Sequence, residues 1–168
     1  MAGKGCRRLV YIDISGCTSL SAEGLFFIGK GCPILNTLLM DDIPECDDSM
    51  VLKLVAHCHT LRHISFMGSS KLTDRAFKYL AMENRKLRSI KIESEFNLFM
   101  LVLGLVFAFH SDNPYIGDVT LRAIGKACRD LTHLYVAGCS RISDHGLKGL
   151  VSLRKLQVLN IADCNRYI

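Results

Sequence analysis

Two stretches carry side chains that could do chemistry. His57-Cys58-His59 sets a thiol between two imidazoles, a group suited to zinc ligation or to an activated thiolate. Asp41, Asp42, Glu45, Asp47 and Asp48 gather carboxylates, the ligand type of calcium. Spacing argues against both. None of the eight cysteines forms a C-x-x-C pair, and no glycine-centred loop accompanies the acidic run. The other histidines, His63, His110, His133 and His145, lie in no nucleophile-elbow context, and no phosphate-cradling glycine loop is present. No catalytic residue, no metal site and no cofactor is therefore expected.

The cysteines make sense as register marks. Cys6, Cys32, Cys58 and Cys128 each stand three residues before an L-x-x-L-x-L spacing, and Cys17, Cys139 and Cys164 follow it. The stretch 128–150 shows the whole unit. Leu131, Leu134 and Val136 are strand positions, with Leu134 and Val136 on one face because side chains alternate. The chain turns at Gly138-Cys139. Ser143 then caps a helix, Asp144 charges its first turn, and Leu147 and Leu150 face back to the strand. Such a unit cannot bury its apolar face alone, and copies flank it. The first starts recur every 26 residues, within the range of about 20–29 for leucine-rich repeats. In this register Cys58 points inward, so His57 and His59 point elsewhere. The small apolar thiols are expected to be buried and reduced.

The units are 6–31, 32–57, 58–83, 84–127, 128–152 and an incomplete 153–168. The spacing predicts strands near 10–14, 36–40, 62–66, 88–92, 132–136 and 157–161. It predicts helices near 21–30, 47–57, 73–83, 117–127 and 143–151. The fold class is α/β, a leucine-rich-repeat solenoid forming a horseshoe segment, with short parallel strands on the concave face and helices on the convex face. No capping unit with a polar outer face is visible at either end, so the array reads as a piece of a longer protein. In the second unit Asp47 and Asp48 read as N-cap and first-turn charge rather than as metal ligands.

The fourth unit is 18 residues too long. Removing 96–113 restores the period, with Glu95 in the turn and Ile116-Gly117-Asp118 opening the helix. The excess holds FNLFMLVLGLVFAF, the most hydrophobic run in the chain. As a helix it would reach about 21 Å at ~1.5 Å per residue, short of a bilayer core of about 30 Å. Three readings stand, in this order: an inserted segment without an evolved role, a loop or helix packed on the stack, and a membrane element. No membrane association is expected of the array itself.

With no chemistry in view, function falls to the outward strand positions, which stacking joins into one concave surface. The candidate partner-binding residues there are Tyr11, Asp13, Leu39, Asp41, His63, Met67, Lys91, Glu93, His133, Tyr135 and Asn160. Tyrosine is enriched in interface hot spots, and methionine adapts to irregular partners. The net charge of +5 is mild, and lysine and arginine are spread along the chain, so nucleic acid is not an expected partner.

CRRLVYIDISGCTSLS, CHTLRHISFMGSSKLTD and CRDLTHLYVAGCSRISD resemble the cysteine-containing repeat of F-box/leucine-rich-repeat proteins. The resemblance covers nearly all of the chain outside the insertion. It implies a horseshoe with two roles. One is substrate recognition for a cullin-based ubiquitin ligase, with the Skp adaptor and cullin reached only through an F-box, which this chain lacks. The other is a structural place among the subunits of the axonemal nexin–dynein link. The implied locations are the cytoplasm and, for the second role, the ciliary axoneme.

Overall fold

The computed structural model of the chain describes residues 5–92 and 113–164. Glu93, Glu95 and the apolar run up to residue 112 lie outside the described residues, as do 1–4 and 165–168.

Six three-residue strands form one parallel sheet in sequence order. They are β1 (Tyr11–Asp13), β2 (Thr37–Leu39), β3 (His63–Ser65), β4 (Ser89–Lys91), β5 (His133–Tyr135) and β6 (Val158–Asn160). The register never slips: Ile12, Leu38, Ile64, Ile90, Leu134 and Leu159 stand opposite one another along the sheet. In β2, β4 and β5 the central residue is buried and its two neighbours are half-buried, the alternation inherent in a strand; in β3 Ser65 is buried as well, and in the last strand Leu159 is exposed. Every predicted strand brackets an observed one.

The described helices are α1 (Ala22–Gly31), α2 (Asp48–Val55), α3 (Asp74–Glu83), α4 (Asp118–Ala127) and α5 (Asp144–Leu150). Ser21, Asp47, Thr73 and Ser143 cap α1, α2, α3 and α5 by accepting a first-turn N–H, whereas Gly117 at α4 makes no side-chain cap. The aspartate that opens a helix also ties it to the next unit. Asp48 accepts from the backbone and hydroxyl of Thr73, Asp74 from Gly117 and Thr120, and Asp118 from Ser143. These charge-assisted bonds run along the stack and lock the spacing of neighbouring helices. For Asp118, burial opposes ionisation, but the Ser143 hydrogen bonds and nearby Arg122 outweigh it and lower the carboxyl below its usual range.

Apolar residues of consecutive units fill one continuous core, with Leu35, Leu61, Leu87 and Leu131 fully buried in one column and Leu54, Leu80 and Ile124 in another. Phe66 and Phe77 meet edge to face with ring centroids 5.7 Å apart. Helices pack closely enough that α4 needs glycine at 125: a Cβ there would lie 1.9 Å from the Gly149 carbonyl oxygen.

All eight cysteines are free thiols. Burial pushes the Cys46 and Cys128 thiols up to about 12, so they stay protonated and inert. The expectation of uniform burial fails at Cys6 and Cys17, which are exposed. The first unit has a described neighbour on one side alone, and its core residue Leu9 is likewise exposed.

A second correction concerns the fourth unit. Asn113, expected to fall within the inserted segment, belongs to the stack. It is buried, and its side-chain Nδ2 donates to the carbonyls of Ser69 (3.2 Å) and Leu72 (3.1 Å) in the preceding unit. Its Oδ1 accepts from Tyr115 N at 3.0 Å, and its own N–H donates to Gly138 in the following unit. Asn113 thus takes the turn column of Cys139, the place where leucine-rich repeats carry Asn or Cys. The 18 extra residues therefore end before it, and Glu95 is not needed in the turn.

Candidate functional site

The strands hold two outward columns. Tyr11, Thr37, His63, Ser89, His133 and Val158 form one; Asp13, Leu39, Ser65, Lys91, Tyr135 and Asn160 form the other. Neighbouring strands lie about 4.8 Å apart, so the side chains of each column stand almost in contact. Asp41 and Met67 follow β2 and β3 beside them.

Several candidates serve the fold as well as the surface. Asp13 accepts from Ser15 N, and Asn160 from Ala162 N, each fixing the bend after its strand. Asp41 accepts from Ser65 Oγ and, at 2.8 Å, from Met67 N. These bonds occupy much of the polar capacity that those three residues were expected to offer a partner. Tyr11 is more than half exposed, whereas Leu39 and Met67 are half-buried.

Four of the candidates come together. His63, Lys91, His133 and Tyr135 line a concave pocket of about 480 Å³ with Arg88, Ser89, Asp130, Thr132 and Lys155. The small Ser89 sits between His63 and His133 in the register and leaves the floor open between two imidazoles. The His133 and Tyr135 rings run nearly parallel at 6.4 Å, and Lys91 Nζ lies 5.4 Å from the Tyr135 ring centroid. Thr132 Oγ1 donates its single proton to the Arg88 carbonyl at 2.9 Å. Thr132 Oγ1 also lies 2.8 Å from His133 Nδ1, a hydrogen bond that holds the imidazole in the pocket wall. His63 titrates below its ordinary value because burial disfavours the charged ring, with Arg88, Arg62 and His133 adding to the effect.

Arg88, Asp130, Thr132 and Lys155 were not among the expected site residues. They lie just before their strands rather than in them, so an analysis confined to strand alternation passes over them. The available signal was the repeat register: Arg62, Arg88 and Thr132 occupy the same position in successive units, and the sheet stacks them.

The suspected His57-Cys58-His59 group is dispersed. Cys58 is buried in the core, His57 packs its ring 5.0 Å from Phe26, and His59 pairs with Glu83 at 3.2 Å. Among the described residues, no group of three His, Cys, Asp or Glu could hold a metal ion, and no helix is long and apolar enough to cross a membrane.

A family model described as leucine-rich repeat matches residues 127–151, the unit built on α4's end, β5 and α5. Among solved structures, the chain is similar to one titled as the crystal structure of the Rad7 and Elc1 complex in yeast, with a TM-score of 0.62 and 13% identity. The match covers 84% of this chain and 32% of that one, so the chain spans about a third of that protein's length. The architecture is a leucine-rich-repeat α/β solenoid, and the concave face of such stacked repeats is a common place for a partner to bind.

Proposed function

We propose that this chain is the substrate-recognition array of an F-box/leucine-rich-repeat protein, holding a protein partner on its concave face for a Skp–cullin–F-box ubiquitin ligase and performing no chemistry itself. The observation that carries the reading is the pocketed concave sheet, where tyrosine, histidine, lysine and arginine side chains converge. Tyrosine and arginine are the residues that dominate binding energy at protein interfaces. The resemblance of the cysteine-marked units to the F-box family and the likeness to a structure solved with a second protein support the assignment. Skp and cullin contacts require an F-box supplied outside this sequence.

A second reading draws on the wording of two segments. GKGCRRLVYIDISGCTSLSAEGLFFIG and SLRKLQVLNIADC are similar to the F-box leucine-rich subunit of the ciliary dynein regulatory complex. In that reading the same face holds dynein-link subunits of the axoneme. Proximity labelling in ciliated cells separates the two. Enrichment of Skp and cullin components supports the ligase reading; enrichment of dynein-link subunits alone replaces it with the structural one.

A further inference from the structure

We infer that the outer face of α2 docks an acidic segment of a second protein, with one aromatic side chain of that segment seated in the hollow between Phe26 and Arg75. This face lies on the convex side, so the inference stands apart from whatever the concave strands hold. The repeat register supplies the first argument. The residue that follows the first core position of each helix is Phe26, Leu52, Lys78, Arg122 and Lys148 in successive units. The last three are exposed and charged, as an outward helix position requires. The first two are large and apolar, yet packing does not demand them there, and both are only half-buried. In a second column Ala56 stands where other units carry Lys30, Met82 and Lys126. The small side chain leaves a hollow of about 390 Å³ above α2, walled by Phe26, Leu52 and Ala56, with the His57 ring set edge-on to Phe26 at 79°.

The rim sets the charge of the occupant. Lys53, His57 and Arg75 border the hollow, Lys30 Nζ lies 5.7 Å from the Phe26 ring centroid, and none of the described lining residues is acidic. The aspartates that open α2 and α3 are committed along the stack, Asp48 to Thr73 and Asp74 to Gly117 and Thr120. Glu23 holds Lys53 at 3.0 Å in an exposed pair, a kind that is weak and readily exchanged. Arg75 is exposed and has no carboxylate partner among the described residues. Acidic side chains are the complement of such a rim. Size and walls then select the anchor. The volume falls near the low end of the range of about 300–1,000 Å³ for ligand pockets, which suits one large side chain rather than a whole helix face. An aromatic ring there meets Phe26 and His57 edge to face and offers its π-face to Arg75, contacts that an aliphatic side chain cannot make. Arg75 is the one described lining residue from α3, so Tyr79, a turn further along, lies outside the hollow.

The test uses the full chain and a fluorescein-labelled degenerate peptide library with a central phenylalanine and glutamate or aspartate on both flanks, read by anisotropy. This library is expected to bind about tenfold or more tighter than one with serine at the centre or one with lysine on the flanks, the gap that a buried aromatic anchor and matched charge produce. Leu52→Lys and Arg75→Glu should each remove that preference. Both borrow a residue type that the same column carries in another unit, lysine at Lys78 and glutamate at Glu23, so the stack accommodates them. Thermal unfolding followed by circular dichroism establishes that it does. Lys148→Ala, in the Leu52 column of α5, should keep the preference. Equal binding of the three libraries overturns the inference, and so does undiminished binding by both variants. Phosphatidylserine vesicles that bind this face without competition from the peptide would overturn it in favour of a membrane surface. Self-association in sedimentation that Leu52→Lys removes, with no peptide preference, would overturn it in favour of a second copy of this chain.

Discussion

Asn113 offers the sharpest test of how the stack is closed across the long fourth unit. Its side chain satisfies three backbone groups: the buried Ser69 and Leu72 carbonyls and the half-buried Tyr115 N–H. Asn113→Ala strands all three. Each buried orphan costs about 1–3 kcal/mol, and partial relaxation of the turn brings the total to roughly 3 kcal/mol. Asn113→Asp keeps the acceptor toward Tyr115 but turns a carboxylate toward two carbonyl oxygens, so it should cost at least as much at neutral pH. Acidification returns one O–H donor to that variant, so its deficit should narrow as pH falls. Urea unfolding followed by circular dichroism measures both. With a slope of about 2 kcal/mol per molar urea, a 3 kcal/mol loss moves the midpoint by roughly 1.5 M. A midpoint for Asn113→Ala within about 0.3 M of the parent would mean that these bonds do not hold the turn.

Further outcomes follow from the same contacts. Deleting 95–112 should raise solubility by removing the most apolar run and should leave the midpoint unchanged or higher. Deleting 96–113 puts Glu95 in place of Asn113 and should unfold about 3 kcal/mol earlier; equal midpoints would refute the assigned register. Gly125→Ala forces a Cβ against the Gly149 carbonyl and should cost about 1–3 kcal/mol, seen as a lowered thermal midpoint. Asp118 is depressed in the fold, so its contribution is present above the unfolded carboxyl value of about 3.9 and is lost as pH falls through and below it. Asp118→Asn should therefore cost about 1–2 kcal/mol at pH 7 and close the gap to the parent in acid; a gap independent of pH would contradict this.

The core columns were legible because a repeat states its pattern several times. Ile12, Leu38, Ile64, Ile90, Leu134 and Leu159 identify one another by position, and the parallel sheet follows from stacking them. The fourth unit was harder because removing 18 residues at neighbouring places restores the period equally well. Chemistry separates the alternatives: Asn113 donates to the Ser69 and Leu72 carbonyls beside its turn, which a carboxylate at Glu95 could not. The concave face was legible as a face but not as a pocket. His63, Lys91, His133 and Tyr135 belong to strands and were anticipated, while Arg88, Asp130, Thr132 and Lys155 reach the same place from the residues before the strands. Asp13, Asp41 and Asn160 looked available for a partner because their hydrogen bonds to nearby backbone cannot be read from alternation alone.

The central claim is that a protein partner sits on the concave sheet. A photoactivatable benzophenone amino acid placed at Tyr135 on that sheet, and separately at exposed Tyr79 on the convex helix α3, tests it in cells. The account predicts a discrete cross-linked protein adduct from position 135 that Arg88→Ala with Lys91→Ala abolishes, and none from position 79. An adduct from position 79 alone would contradict it.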